Sequence, residues 1–239
     1  FLAKLQGAEG FEKNLAIMEK RDPELAALMR SDLDCSHIEV LPSHRPDVPT
    51  AQVTLPSGEK VLLHNMEDPI GSAVRSAEKQ EMKGGNASVL LGFGLGYLAR
   101  ELAKKVEKKH AIIICELDQA ILKTALRQVD LTAVLDSDYI KILTGADIPL
   151  QEWIHKLSTQ CMTAQVDVIM YGPSAQLDPQ EYERLREIAK NEHRALILNR
   201  NTVLKAGQLM MESILLNFPE VLQSAGVKRL ENLFQGRPA

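Results

Sequence analysis

A glycine-rich junction between an apolar run and a helical stripe constrains the fold of this chain most strongly. Residues 89–98 read Val-Leu-Leu-Gly-Phe-Gly-Leu-Gly-Tyr-Leu, so an apolar run ends in glycines at alternate positions. Apolar side chains then recur every four residues, at Leu98, Leu102 and Val106, which is helical spacing. Glycines at such a junction permit a tight turn and a close approach of ligand to backbone. The segment therefore predicts a strand, a turn and a helix of the nucleotide-binding type.

Strand and helix patterns continue to alternate after the glycines. Residues 111–115, Ala-Ile-Ile-Ile-Cys, form a continuous apolar run, which is typical of a strand buried on both faces. Further strands are predicted at residues 139–143 and 166–170, with helices between the strands. Short strand–helix–strand units favour right-handed crossovers and a parallel sheet. We therefore predict an α/β fold with a Rossmann-like, methyltransferase-like parallel sheet over residues 85–177.

The regions on either side of this sheet have other patterns. Residues 1–84 combine three helices, the last opened by Asp68-Pro69 and running to about Lys83, with three strands predicted at residues 37–41, 51–55 and 60–64. We predict that they form a small α+β subdomain. Lys83-Gly84-Gly85 marks its end. Residues 178–239 have a helical pattern. We expect this last segment to lead into a further α/β domain of a longer protein.

Composition and charge exclude several classes of function. The 239 residues carry a net charge of −4, which gives no general attraction to nucleic acid or anionic lipid. No apolar run reaches the roughly 18–20 residues that span a bilayer. The cysteines are few, widely spaced and odd in number, as is typical of reduced thiols. We therefore expect a cytoplasmic protein that binds neither nucleic acid nor a membrane, and the histidine spacing predicts no metal site.

Two acidic residues follow predicted strands that neighbour the glycines. Glu116 ends the second strand, where a carboxylate can bind ribose hydroxyls, and Asp147 follows the third, within reach of an adenine amino group. Open α/β sheets bind ligands at the carboxyl ends of their strands. The sequence leaves the cofactor unknown: this arrangement is compatible with S-adenosylmethionine or another adenosine-type ligand, and no catalytic residue is predicted. The candidate cofactor-binding residues are Gly92, Gly94, Gly96, Glu116 and Asp147.

Details of the motif leave several interpretations open. The dinucleotide fingerprint has a glycine where this chain has Tyr97, which disfavours a nicotinamide dehydrogenase. The Gly-x-Gly-x-Gly form resembles the first motif of class I methyltransferases, although these usually carry an acidic residue where Leu90 stands. Residues 171–174, Tyr-Gly-Pro-Ser, differ from the Asn-Pro-Pro type motif of methyltransferases that act on amines. The glycines are also compatible with a tight turn alone, with Glu116 solvated.

Residues 64–69, His-Asn-Met-Glu-Asp-Pro, and residues 90–97, Leu-Leu-Gly-Phe-Gly-Leu-Gly-Tyr, carry a family resemblance. They resemble the amino-terminal domain of the bacterial motility accessory factor proteins, glycosyltransferases that modify flagellin with nonulosonic acids. Residues 230–239 resemble the junction into the central domain of that family. The resemblance implies a degenerate, methyltransferase-like Rossmann region, a catalytic domain downstream in the same chain, and flagellin as a partner.

Three functions follow from these patterns. The first is a non-catalytic or vestigial nucleotide-fold domain of a flagellin-modifying glycosyltransferase of the motility accessory factor type. The second is a methyltransferase that uses S-adenosylmethionine, and the third is an interaction domain that docks the acceptor protein. Leu90 and the absent Asn-Pro-Pro motif weigh against the second function, and the glycines weigh against the third.

Overall fold

A computed structural model describes residues 8–82, 86–106, 110–161 and 165–223. The chain divides into two compact units, Phe1–Leu196 and Ile197–Ala239. Both sheets belong to the first unit. The predicted subdomain boundary at residues 83–85 and the motif at residues 230–239 lie outside the described residues.

The described part of the chain starts with two helices, which are followed by an antiparallel sheet and a third helix. Asp22 caps the second helix by accepting a hydrogen bond from the Leu25 N–H, and Pro23 occupies its first turn, as the sequence predicts. The strands pair in chain order with antiparallel register. The elements are α1 (Ala8–Arg21), α2 (Pro23–Arg30), β1 (Ile38–Pro42), β2 (Pro49–Thr54), β3 (Lys60–Leu62) and α3 (Pro69–Glu78).

The second sheet has four parallel strands that alternate with helices. The strands are β4 (Ala87–Leu91), β5 (Ala111–Glu116), β6 (Ile140–Thr144) and β7 (Val166–Met170). The intervening helices are α4 (Tyr97–Lys105), α5 (Gln119–Gln128), α6 (Thr132–Leu135) and α7 (Leu150–Cys161), and α8 (Gly172–Ala175) and α9 (Pro179–Gln223) follow β7. The strand order is β6-β5-β4-β7, which confirms the predicted Rossmann-like fold. Strands β5 and β6 follow β4 on one side of the sheet, and β7 then pairs with the other side of β4, so a topological switch point lies between β4 and β7.

Strands β4 and β5 form the centre of the first unit. They are adjacent, parallel and buried along their whole length, which confirms the prediction from their apolar runs. Alternate residues face two cores. Leu90 and Ile114 belong to a core that also contains Leu15 of α1 and Val53 of β2. We call residues 8–82, which contain α1–α3 and β1–β3, the antiparallel part of the chain. The antiparallel elements and the parallel sheet therefore share one hydrophobic core.

Helix α9 is 45 residues long and contributes to both units. In the first unit Tyr182, Leu185 and Ala189 are buried in the second core, beside Ile113. In the second unit the described residues expose many large apolar side chains, including Leu204, Met211, Ile214 and Phe218. None of the helices in the described ranges has both the length and the apolar composition needed to cross a membrane.

The buried centre of β5 gives a stability prediction. Ile113 is fully buried between β4 and β6, so Ile113→Ala leaves a cavity that neighbouring strands cannot fill. We expect a loss of about 2–5 kcal/mol in the free energy of unfolding, measured by urea denaturation. Val40→Ala on the exposed side of β1 is the control and should cost less than about 0.5 kcal/mol. Equal costs for the two substitutions would contradict the burial of β5.

Candidate functional site

The loop between β4 and α4 holds the predicted glycines in left-handed conformations. Gly92, Gly94 and Gly96 have φ values of 96°, 58° and 82°. The whole segment 92–97 is buried. A side chain in this region of φ costs roughly 1–2 kcal/mol, so the backbone of the turn itself requires glycine.

The protein's own side chains fill the space beside these glycines. A Cβ atom added at Gly92 would lie 2.4 Å from the Cβ of Ser174, and one at Gly94 would lie 2.9 Å from the Nε2 of His64. At Gly96 the nearest atom would be the Cδ2 of Leu131, at 2.6 Å. The close approach that the glycines permit is therefore made by residues of the same chain.

Glu116 contacts this loop from the end of β5, and its carboxylate is fully buried. Its Oε2 accepts hydrogen bonds from the backbone N–H of Phe93 at 2.7 Å and of Gly94 at 3.4 Å. Three more donors surround the same carboxylate, namely the hydroxyls of Ser174 and Tyr182 and the N–H of Asp118, at 3.3, 2.9 and 3.2 Å. The predicted ribose-binding group is thus hydrogen-bonded within the protein. Burial raises the pKa of Glu116 above its usual range, although the backbone donors oppose this rise.

His64 binds the loop from the other side. Its Nε2 accepts a hydrogen bond from the Leu95 N–H at 2.8 Å, and its Nδ1 lies 2.7 Å from the hydroxyl of Tyr171. The Tyr171 hydroxyl donates to the Leu63 carbonyl, so it accepts a hydrogen bond from Nδ1 of His64. A neutral His64 with its proton on Nδ1 therefore gives each of these groups a hydrogen-bond partner. Burial lowers the pKa of His64 to about 3. The spacing of the histidines does not indicate a role for His64, which is distinguished in the sequence only as the first residue of the motif at residues 64–69.

Glu116 and His64 together occupy three successive backbone donors of the loop. The N–H groups of Phe93 and Gly94 bond to Glu116, and that of Leu95 bonds to His64. In nucleotide-binding folds, donors at this position and the adjacent helix N-terminus bind phosphate or carboxylate. Here the three loop donors, the N–H groups of Phe93, Gly94 and Leu95, are already paired within the fold.

A cleft of about 790 Å³ lies beside this closed loop, at the carboxyl ends of β5 and β6. We call it the β5–β6 cleft. Glu116 is one of the residues that line the cleft, but the three loop glycines do not line it. Its other lining residues come from the loops after β5, β6 and β7 and from the antiparallel part; they include Asp34, His37, Val53, Leu55, Leu117, Asp118, Gly145, Asp178 and Tyr182.

Asp147 lies apart from the other predicted site residues. It is exposed and lines an adjoining groove with Glu181 and Arg184. The structure therefore brings Glu116 to the glycine loop and places Asp147 outside both the loop and the β5–β6 cleft.

Neither a cluster of metal ligands nor a match to known proteins identifies the function of this site. Within the described ranges, no three histidine, cysteine, aspartate or glutamate side chains come together as metal ligands would. No protein-family model matches the chain, and a search of the curated proteins found no significant match. The function is therefore inferred from the geometry of the site and from the sequence motifs.

The contact between Gly92 and Ser174 gives a stability prediction with a matched control. Gly92 and Gly58 have similar φ values, 96° and 86°, but an added Cβ meets Ser174 at the first position and nothing within 4 Å at the second. We expect Gly58→Ala to cost about 1–2 kcal/mol from backbone strain and Gly92→Ala to cost more. Chemical denaturation measures both. Equal costs would show that the space beside Gly92 is open.

The buried, neutral His64 predicts a pH dependence of stability. Below about pH 6.5 the unfolded chain takes up a proton that native His64, with a pKa of about 3, does not take up. The contribution of His64 to the free energy of unfolding therefore falls as the pH falls. Between about pH 6.5 and 5 we expect wild type to lose about 1.5 kcal/mol relative to His64→Gln.

Unfolding titrations at several pH values test this dependence. Gln keeps an acceptor for the Leu95 N–H, and His44→Gln, which changes an exposed histidine, is the control. A His64→Gln variant that loses stability with acid as steeply as wild type would contradict the neutral state of His64.

Proposed function

We propose that this chain is a non-catalytic, vestigial nucleotide-fold domain of a flagellin-modifying glycosyltransferase of the motility accessory factor type. One observation carries the first part of the proposal: Glu116 and His64 take the backbone donors that a cofactor would need. In this proposal the glycine loop is a structural junction.

The two motifs of the resemblance form one contact, which supports the second part of the proposal. His64 begins the motif at residues 64–69, and its ring bonds to Leu95 within the motif at residues 90–97. Two other residues of the first motif shape its own turn: Asn65 accepts from the N–H groups of Glu67 and Asp68, and Asp68 caps α3. The motifs thus encode a closed loop and the segment that closes it.

A methyltransferase would need this arrangement to open. A cofactor that used the loop would displace Glu116 and His64 from three hydrogen bonds, each with a net value of about 0.5–1.5 kcal/mol. Leu90 is fully buried and offers no acceptor to the ammonium group of the cofactor. Both features weigh against the methyltransferase alternative.

Calorimetric titration with S-adenosylhomocysteine tests the vestigial role. We expect no low-micromolar binding, because the loop donors are paired and the ammonium group lacks a carboxylate partner at the position of Leu90. Circular dichroism of the same sample should show a folded protein. Low-micromolar binding would overturn this part of the proposal and favour the methyltransferase.

Intact-mass measurement of flagellin tests the glycosyltransferase assignment. Deletion of the gene in its source cell should shift flagellin to its unmodified mass, and the intact gene should restore the modified mass. An unchanged flagellin mass would overturn the assignment even if the titration shows no cofactor.

The exposed apolar side chains of the second unit favour docking of the acceptor as a second candidate function. Four large apolar side chains are at least half exposed: Leu204 at 61%, Met211 at 60%, Ile214 at 50% and Phe218 at 53%. Their spacings of seven, three and four residues place them along one face of α9, and exposed apolar faces mark interaction sites. Under this alternative, Leu204→Ser with Met211→Ser abolishes flagellin modification, whereas a purely structural domain tolerates the change.

A further inference from the structure

We propose that the β5–β6 cleft binds a small organic cation, an amine that carries an apolar or aromatic body. This inference is independent of the proposed function, because it concerns a cavity that the glycine loop does not line.

The size and walls of the cleft suit a small organic molecule. Its volume of about 790 Å³ lies within the range of pockets that hold such ligands. Apolar side chains from separate parts of the fold converge on it: Leu33, Val53 and Leu55 from the antiparallel part, and Leu117, Ala120 and Leu177 from the parallel sheet's loops and helices. The apolar or aromatic body of a ligand would therefore be buried between the antiparallel part and the loops and helices of the parallel sheet.

Carboxylates dominate the charge of the cleft. Asp34, Asp118 and Asp178 line it, and among the described residues no lysine or arginine does. The one basic group is His37, whose Nε2 lies 2.7 Å from the Oδ2 of Asp118. A phosphate or carboxylate ligand would meet these acidic groups without a cationic partner, whereas an ammonium group is attracted.

The N-termini of α5 and α9, which lie at the cleft, also disfavour an anionic ligand. An uncapped helix N-terminus attracts anions. The Oδ1 of Asp118 accepts the Ala120 N–H at the start of α5, at 2.9 Å, and the Oδ1 of Asp178 accepts the Glu181 N–H at the start of α9, at 3.1 Å. Both termini are thus already paired with carboxylates of the chain.

Acceptors for an ammonium group lie at the mouth of the cleft. Asp34 uses its Oδ1 on the Ser36 N–H at 2.9 Å, and Asp178 uses its Oδ1 on Glu181. A carboxylate accepts several hydrogen bonds, so both groups keep acceptor capacity for a charge-assisted bond to an ammonium group. The Ser36 N–H lowers the pKa of Asp34, so this group is ionised at neutral pH.

Two probes with one ring system and opposite charge test the proposal. Tryptamine and indole-3-propionate differ in an ammonium versus a carboxylate at the end of the same side chain. In calorimetry at low salt, we expect tryptamine to bind with a Kd on the order of 0.1–1 mM and indole-3-propionate to bind at least about tenfold more weakly.

A double variant places the binding in the cleft. Asp34→Asn with Asp178→Asn removes two negative charges, and Asn retains the turn and cap hydrogen bonds. We expect at least about tenfold weaker tryptamine binding, since two charge-assisted bonds are lost. Asp138→Asn is the control, because Asp138 is exposed before the amino end of β6 and should leave the affinity unchanged.

Three results would overturn the proposal. They are equal or tighter binding of indole-3-propionate, no tryptamine binding at millimolar concentration, and an affinity for tryptamine that the double variant does not change. These results are separate from the test of the glycine loop, because the double variant changes the cleft and leaves the hydrogen bonds of the loop donors in place.

Discussion

The buried carboxylate of Glu116 is the interaction on which the carboxyl edge of the parallel sheet depends. A buried charge or carboxyl group is tolerated only when donors surround it, because burial removes its hydration. Glu116 meets this requirement with donors from the glycine loop, the start of α5, α8 and α9. Each of these elements must therefore converge on the end of β5. The same requirement fixes the glycine loop, since its left-handed turn presents two N–H groups to one oxygen.

The carboxyl edge consequently has two parts with different properties. Beside β4 the loop is closed, because Glu116 and His64 bond to its N–H groups and Ser174 fills the space next to Gly92. Beside β5 and β6 the edge is open and forms the acidic cleft. A fold of the nucleotide-binding class thus does not imply a nucleotide at its glycine loop, since function depends on the side chains that occupy each position.

The sequence predicts the framework well because the framework follows from local patterns. The run at residues 111–115 predicts a buried parallel strand, and the residues 166–170 predicted as a strand coincide with β7. The same patterns identify the glycine turn and place Glu116 at a strand end. They do not reveal which donors reach Glu116, since Tyr182 lies 66 residues away along the chain. His64 is likewise 31 residues from Leu95, and only the tertiary fold brings the two together. Asp147 shows the same limit, because strand periodicity says nothing about the path of the loop that follows.

The antiparallel part of the chain contributes to both the closed loop and the open cleft at this edge. It supplies His64, which closes the loop after β4, and it supplies His37, Val53 and Leu55, which form one side of the β5–β6 cleft. These contacts are held in register by the shared core, in which Leu15 and Val53 pack with Leu90 and Ile114. Without this part the Leu95 N–H would lose its acceptor and the cleft would lose one side. The residues that distinguish this chain from a cofactor-binding Rossmann fold therefore come both from the Rossmann-like part, which supplies Glu116 and Ser174, and from the antiparallel part, which supplies His64.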